Sequence, residues 1–483
     1  MIEKIRHTIE NLDAFRTLST SGRREITVTG VPGSLAAFVI AGLRGVRGCQ
    51  ILLVAPDDSA SERMRDDLSL LLGGENVHLF AATPAQGQIR PADAGVQDVQ
   101  ALRSLAESPG AIVVTPPRGL SIPLPPPLAV AARAIPLTKG ARADFSSIIE
   151  QLNAYGFEQK DFVETHGDFS VRGGILDVFT FAGDNPIRAE FSGDEIESLR
   201  EFDPSSQRSI RDLAGTTIVP DLLAGRGDGA AERRTTSILE YLRDNAVVIL
   251  DEPDLIQRDV TVEKGEREYL PAELTEELLG LFPRVSIVTI PPPGNDLIDF
   301  GGKLQPAFNG SITALRKDLA ALQQQAYTVF FTSDTNAELA RLRELLGTLP
   351  GGRSPGETEE NPPVATEALQ FTVEALHGGF TIPGARLAVY TEHQIFNRLK
   401  RRGRKRSPRF KGLTERDIHM LHRGDFVVHQ DFGIGRYDGM KRINVGGAEQ
   451  EVVKILYDAR DTLFVNLNYV GKLQKYSSKE GHV

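Results

Sequence analysis

The chain has 483 residues, 40% of them hydrophobic and 25% charged, with a formal net charge of −10. That is an ordinary globular composition, long enough for about three or four domains, and no run approaches the roughly 18 apolar residues that span a bilayer. The opening MIEKIRHTIENLDAF is an amphipathic helix rather than a signal, so the cytoplasm is the expected address, and a single cysteine, Cys49, excludes an internal disulfide or a cysteine metal site.

From residue 1 to about 118 the pattern alternates strand and helix. Glu25 to Thr29 and Gln50 to Ala55 read as buried strands, Ser59 to Leu72 as a helix, and Val77 to Phe80 and Ala111 to Thr115 as further strands. Such βαβ alternation predicts a parallel, doubly wound sheet. After the first strand comes Thr29-Gly30-Val31-Pro32-Gly33-Ser34-Leu35-Ala36-Ala37, in the place of a phosphate-binding loop. That chemistry needs glycine for close backbone approach, lysine for the β and γ phosphates and a hydroxyl for Mg²⁺. Leu35, Ala36 and Ala37 hold those places here. A methyl group neutralises no phosphate charge, so the expectation is a degenerate loop in a nucleotide fold without its nucleotide. An unrelated strand-to-helix turn is the alternative.

Pro-rich sequence at Leu124 to Leu128 marks a boundary, and residues 119–215 read as an insertion, because the αβ pattern resumes afterwards. Asp144 to Tyr155 is a predicted helix. Phe169, Val171, Ile175, Val178 and Phe179 fall on strand spacing around Gly173-Gly174, and Ile187 to Phe191 is a second alternating run beyond the Asp184-Asn185-Pro186 turn. Antiparallel strands so placed put Arg172 and Arg188 near the ends of neighbours, where two guanidinium forks suit a partner's carboxylates. Pairing with Asp177, Glu190 or Glu195 is the competing reading.

Residues 216–304 return to the first pattern, with a helix at Thr235 to Leu242 and an apolar strand, Ala246 to Leu250, ending in Asp251-Glu252. Two carboxylates at a strand end hold Mg²⁺ through water in nucleotide sites, but without a loop lysine a vestigial or capping pair is favoured. Residues 305–397 form a small αβ unit: helices at Ile312 to Gln325 and Thr335 to Leu346, strands at Tyr327 to Thr332 and Arg386 to Tyr390, and a Gly, Pro and Glu-rich loop at 351–363. A basic linker, 398–420, follows. Its first part, Arg398 to Lys411, holds nine Lys or Arg and no acid, so the remainder of the chain sits near −19. Either phosphate contact or a solvated linker suits that run. The last module, 421–478, is short strands alone: Asp425 to Gln430, Gly435 to Ile443, Gln450 to Tyr457, Thr462 to Asn466 and Lys472 to Gln474. Such spacing predicts a small SH3/Tudor-like β-barrel.

Two sets of motifs carry a resemblance. F-x-V-R-G-G-I-L-D-V-F, P-I-R-x-E-F, G-D-E-I-E-S-L-R and F-D-P-x-x-Q-R-S, between Phe169 and Ser209, resemble the partner-binding domain shared by the excision-repair subunit UvrB and the transcription-repair coupling family. G-D-x-V-V-H-x-D-x-G-I-G-R-Y, from Gly424 to Tyr437, looks like the RNA-polymerase-interacting domain shared by that family and CarD-type regulators. With the degenerate loop ahead of both, the order matches the amino-terminal part of the coupling family: UvrB-like domain 1a at 1–118, domain 2 at 119–215, domain 1b at 216–304, domain 3 at 305–397, linker and barrel.

The resemblance implies an adaptor in transcription-coupled nucleotide excision repair. Arg172 and Arg188 would contact UvrA, with Phe191 and Ser192 beside them, Ser192 replacing a second aromatic common in relatives. The barrel would line up an edge strand with the β subunit of RNA polymerase, using Arg436, Lys441, Arg442, Ile443 and Val445. ATP, Mg²⁺ and most double-stranded DNA contact belong to the family's translocase domains, so this chain is expected to be a non-catalytic monomer with no metal and no cofactor. The alternatives are a UvrB-like ATP-dependent repair enzyme, which would bind an ATP analogue, and a CarD-like regulator, which would bind polymerase but not UvrA.

Overall fold

The computed structural model describes residues 1–82, 92–204, 206–221, 236–256, 270–291, 297–347, 364–398, 421–429, 433–445, 448–457, 462–466 and 473–475. The basic run after Arg398 and the loop at 351–363 lie outside the described residues. The chain divides into two compact units: Met1–Pro84, Gln100–Leu128 and Glu232–Arg402 form one, and Ala85–Val99, Ala129–Ala231 and Gly403–Val483 the other.

The first unit is built on a seven-stranded parallel sheet, in spatial order Leu297–Asp299, Glu25–Thr29, Arg284–Ile287, Val247–Asp251, Ile51–Val54, Ile112–Thr115 and Val77–Leu79. Its middle strands are apolar throughout, as a sheet covered on both faces requires. Val247–Asp251 lies beside Ile51–Val54 although nearly two hundred residues separate them, so the chain leaves this sheet and returns to its centre. Helix Leu35–Arg47 is buried from Leu35 through Leu43, which suits a helix hydrophobic nearly all round. Each fully buried Leu or Phe there contributes about 1.5–3 kcal/mol over exposure. Gly42 lets the ring of Phe15 lie against this helix, since a Cβ would stand 2.8 Å from it.

The amino-terminal stretch forms two helices, Ile2–Glu10 and Asp13–Thr20, rather than one. They bury Ile2, Ile5, Ile9, Phe15 and Leu18. The predicted helix at Thr235 to Leu242 reduces to a single 3-10 turn, Ile238–Tyr241. Thr236 is committed to a backbone bridge with Leu124, and Ser237 and Glu240 close a capping box immediately after it.

The remaining part of this unit is a mixed five-stranded sheet in the order Lys303–Leu304, Phe380–Ile382, Leu387–Thr391, Thr328–Ser333 and Gln370–Val373. One face joins the first sheet's core: Phe330, Leu376, Phe380, Ile382, Leu387 and Val389 share a single apolar cluster with Phe38 and Ile40. The expected boundary between residues 1–118 and 305–397 is therefore a boundary in sequence only, because one core runs through both. Helices Ile312–Gln324 and Asn336–Leu346 cover the other face.

The second unit holds a six-stranded sheet, in the order Ser209–Asp212, Glu195–Phe202, Ile187–Ser192, Ile175–Val178, Asp168–Arg172 and Glu158–Gln159. All its pairs are antiparallel except the last. Gly173-Gly174 forms a two-residue hairpin closed by the Arg172 and Ile175 pair, with Gly173 at φ +61°. Ile135–Thr138 and Gly215–Ile218 pair as a separate ribbon. The carboxy-terminal strands form a five-stranded antiparallel sheet, in the order Thr462–Asn466, Ala448–Leu456, Gly433–Val445, Phe426–His429 and Leu473–Lys475. Val427, Tyr437, Val453, Ile455, Val465 and Leu473 make its core.

A closed loop and two candidate partner surfaces

The turn at Gly30 to Ala37, where the sequence suggests a degenerate phosphate loop, has Gly30 at φ +69° and Gly33 at φ +58° before the helix opens at Leu35. Another segment of the chain packs against it. The Ser34 amide donates to the Gly378 carbonyl (3.0 Å), and Gly378 N–H donates back to Ser34 Oγ (2.9 Å). Ser34 Oγ donates to Asp67 Oδ2 (2.6 Å). The other carboxylate oxygen of Asp67 accepts from the His377 amide (3.0 Å) and bonds His377 Nδ1 (2.9 Å). A Cβ on Gly33 would stand 3.0 Å from the Gly378 carbonyl, and one on Gly378 would stand 2.8 Å from Gly33 Cα. Backbone meets backbone where a phosphate would need room. Leu35, Ala36 and Ala37 are buried in the core, so none of these three faces solvent as a phosphate ligand. Neither Asp67 nor His377 carried a signal in sequence, since 310 residues separate them.

At the end of strand Val247–Asp251, burial and the neighbouring Glu252 charge push the Asp251 carboxyl up to about 6. Glu252 takes left-handed backbone at φ 57° and accepts a hydrogen bond from the Thr289 amide (2.8 Å) and another from its hydroxyl. The pair thus splits into one half-buried acid and one loop cap.

In the second unit, Asp177 is the hub of the two arginines singled out in the sequence. Register places Asp177 directly across from both Ser170 and Arg188. Arg188 makes a bidentate pair with it, Nε to Oδ1 at 2.7 Å and Nη2 to Oδ2 at 2.9 Å, and lies over the Phe202 ring at 4.6 Å. Arg172 adds a third donor to the same carboxylate. Exposure separates their roles: the Arg188 side chain is 7% accessible and that of Arg172 is 32%. Local acid pairing is thus what the structure has for both, and only Arg172 presents surface to a partner. Strand alternation also divides the predicted group, because Phe191 projects from the face opposite Arg188. There its ring packs edge to face on Phe145, centroids 4.8 Å apart. Ser192 is exposed. The four residues do not converge on one patch.

In the carboxy-terminal sheet, Gly433–Val445 is the central strand, but only its first half has neighbours on both sides. Pairing with Phe426–His429 stops at Arg436. Beyond the irregularity between Tyr437 and Met440, Lys441 through Val445 pair only with Ala448 through Val452 among the described residues. Among the described residues this stretch is a two-stranded ribbon, and Lys441 and Arg442 on it are exposed. Ile443 and Val445 belong to the same ribbon by register. Arg436 is different: it sits within the paired half, its guanidinium 5.2 Å from the Phe426 ring.

The chain is a multidomain α/β protein, and two of its modules match known domain families. Residues 135–222 match the UvrB interaction domain, and residues 421–477 match the CarD-like/TRCF RID domain. Nearly the whole chain is similar to transcription-repair-coupling factors. It is 24% identical to that of Bacillus subtilis (strain 168) over 99% of this chain and 48% of the relative, and 27% identical to that of Myxococcus xanthus over 95% and 46%. The Staphylococcus aureus (strain Mu50 / ATCC 700699) factor is 23% identical over 95% of this chain. The chain spans about half the length of the curated relatives it matches. No helix among the described residues is long and apolar enough to cross a membrane.

Proposed function

We propose that this chain is the adaptor portion of a transcription-repair-coupling factor. The 421–477 module engages the β subunit of RNA polymerase, and the 135–222 domain recruits UvrA to the lesion at which the polymerase has stalled. The observation that carries this reading is the pairing of a UvrB interaction domain with a CarD-like/TRCF RID domain in one chain, behind a nucleotide-type loop against which Gly378 packs.

In this reading the chain hydrolyses no ATP. The ATP-dependent translocase that displaces polymerase, and most contact with DNA, belong to the portion of the relatives that this chain does not match. The fold of residues 1–118 and 216–304 is that of a degenerate UvrB-like module, the carboxy-terminal sheet is an SH3/Tudor-like barrel, and the chain works as a monomer in the cytoplasm. The ribbon Lys441 to Val445 supplies main-chain donors and acceptors for strand addition, with Lys441 and Arg442 giving charge selectivity. Arg172 is the accessible half of the Asp177 cluster and the residue through which UvrA senses it. Arg188 acts by holding Asp177 and so positions Arg172.

A pull-down tests the assignment: the chain retains purified UvrA and, separately, the polymerase β subunit. Arg172→Ala abolishes the first and spares the second. Retention of neither by the folded chain would overturn the proposal, and retention of polymerase alone would favour a CarD-like regulator.

A further inference from the structure

Strand Gly433–Val445 does not run regularly from the body of its sheet into its far half. Along strand Ala448–Leu456 its partners are Ile455 for Tyr437 and Val453 for Met440, so three steps on one strand answer two on the other. Asp438 and Gly439 together therefore face Lys454. That is a β-bulge, which bends the strand that carries it and strengthens its right-handed twist. Tyr437 and Met440 both pack on the core of this sheet, whereas strict alternation sends residues three apart to opposite faces. The extra residue brings both side chains to the same face.

Two cations fasten the bulge. From directly across it, Lys454 Nζ donates to Asp438 Oδ2 (2.6 Å), and that hydrogen bond holds the Asp438 carboxyl below the usual carboxylate range. Gly439 takes φ +95°, a backbone that residues with a Cβ adopt only under strain, and a Cβ there would stand 2.8 Å from Arg423 Nε. Arg423 thus lies against the bare glycine. It belongs to the segment that makes the last bonds from the other neighbouring strand: the Gly424 amide donates to the Tyr437 carbonyl and the Tyr437 amide to the Asp425 carbonyl, each at 2.8 Å. The bend falls where, among the described residues, the ribbon parts from its second neighbour.

Neither pairing nor packing requires the extra residue. Without Gly439, Asp438 alone would face Lys454, and Tyr437 with Ile455, Met440 with Val453 and Lys441 with Val452 would keep their partners. What would change is the direction and twist of residues 441–445. We propose, resting on the polymerase reading of that ribbon given above, that the Asp438–Gly439 bulge with Lys454 and Arg423 sets the angle at which the ribbon's edge meets the strand of the polymerase β subunit. Strand addition needs two backbones aligned over several consecutive hydrogen bonds. A ribbon that holds the right bend only part of the time binds more weakly by that fraction. Asp438, Gly439, Lys454 and Arg423 are therefore positioning residues, which act through the ribbon without touching the partner.

Deleting Gly439 separates positioning from folding. In hydrogen–deuterium exchange on the whole chain, residues 437–440 exchange roughly tenfold more slowly in the deletion variant, because no residue is left outside the ladder. With circular dichroism and the thermal midpoint unchanged, the same variant binds purified polymerase β subunit at least about tenfold more weakly. The charge pair gives a second arm that leaves the backbone intact. Lys454→Met and Asp438→Asn each weaken binding up to about fivefold, and Asp438→Lys combined with Lys454→Asp restores it. Identical exchange with and without Gly439 would overturn the bulge. Full-strength binding by the folded deletion variant, or a charge swap that restores nothing, would overturn the positioning. If the unaltered chain does not bind polymerase β, the functional assignment fails and the positioning with it, while the exchange arm still decides whether the bulge exists.

Discussion

The turn at Gly30 to Ala37 and the ribbon at Lys441 to Val445 treat their backbone polar groups in opposite ways. In the first, the Ser34 amide and hydroxyl, both oxygens of Asp67, the His377 amide and the Gly378 amide are bonded to one another inside the protein. In the second, one edge of a five-residue strand has no described partner. A phosphate cradle works by leaving donors unpaired for a ligand; here the Ser34 and Gly378 amides are bonded within the protein. Strand addition works by leaving an edge unpaired, and here one edge has no partner among the described residues.

Arg188 and Arg172 repeat the contrast within one cluster, and the largest predicted effect separates them. Arg188→Ala leaves buried Asp177 with Arg172 as its remaining guanidinium partner and costs up to about 3–5 kcal/mol. Hydrogen exchange across Ile175–Val178 and Ile187–Ser192 should rise to the unprotected rate. Arg172→Ala, at a partly exposed position, should cost no more than about 1 kcal/mol while removing partner binding. Equal destabilisation by the two would erase the distinction between a positioning and a contacting arginine.

Opening the Ser34, Asp67 and His377 network should come next in size. Asp67→Ala leaves Ser34 Oγ and the His377 amide without their buried acceptor, at about 1–3 kcal/mol for each group left unsatisfied. Faster exchange should be confined to the Leu35–Arg47 helix and to 376–382. A stability unchanged within about 0.5 kcal/mol, the scatter of surface substitutions, would mean that the network holds nothing together.

The Asp251 carboxyl should make a smaller, pH-dependent contribution. Its folded pKa of about 6 lies above the ordinary 3.8, so the folded state holds the proton more tightly than the unfolded state does. The resulting stabilisation is complete below the unfolded pKa and is lost as pH rises from about 4 to 6. Asp251→Asn should remove that slope and raise stability at pH 7 by about 1 kcal/mol or more. Denaturant midpoints at pH 4, 5, 6 and 7 provide the check, and identical slopes in the two proteins would remove the burial argument.

The smallest effect on folding should come at the ribbon. Ile443→Pro deletes a main-chain donor from a strand bonded on one side, so stability should change little while polymerase β binding falls at least tenfold. Unchanged binding would move the contact away from this edge.

Much of this was legible in sequence, and the reasons are local. Apolar runs gave five strands of the parallel sheet, the strands around Gly173-Gly174 and the carboxy-terminal strands, but not Arg284–Ile287, Leu297–Asp299, Phe380–Ile382 or Glu195–Phe202, and Leu35, Ala36 and Ala37 stand where loop chemistry would need lysine and a hydroxyl. Contacts between distant segments were not legible. Nothing near Ser34 announces that Gly378 will pack against it. Arg188 was placed on the right strand, but its burial depends on Phe202 and Gln207 closing over it from further along the chain. The split between Phe191 and Arg188 follows from an odd spacing of three within one strand and was open to inspection.

Titrating the intact chain with a fluorescent ADP analogue and Mg²⁺ puts the closed loop to the most direct trial. With Gly378 seated against Ser34, no saturable binding should be seen up to millimolar nucleotide, in either the unaltered chain or Asp67→Ala, which still lacks the loop lysine. Micromolar binding that protects Gly30 to Ala37 from hydrogen exchange would contradict the account at its centre.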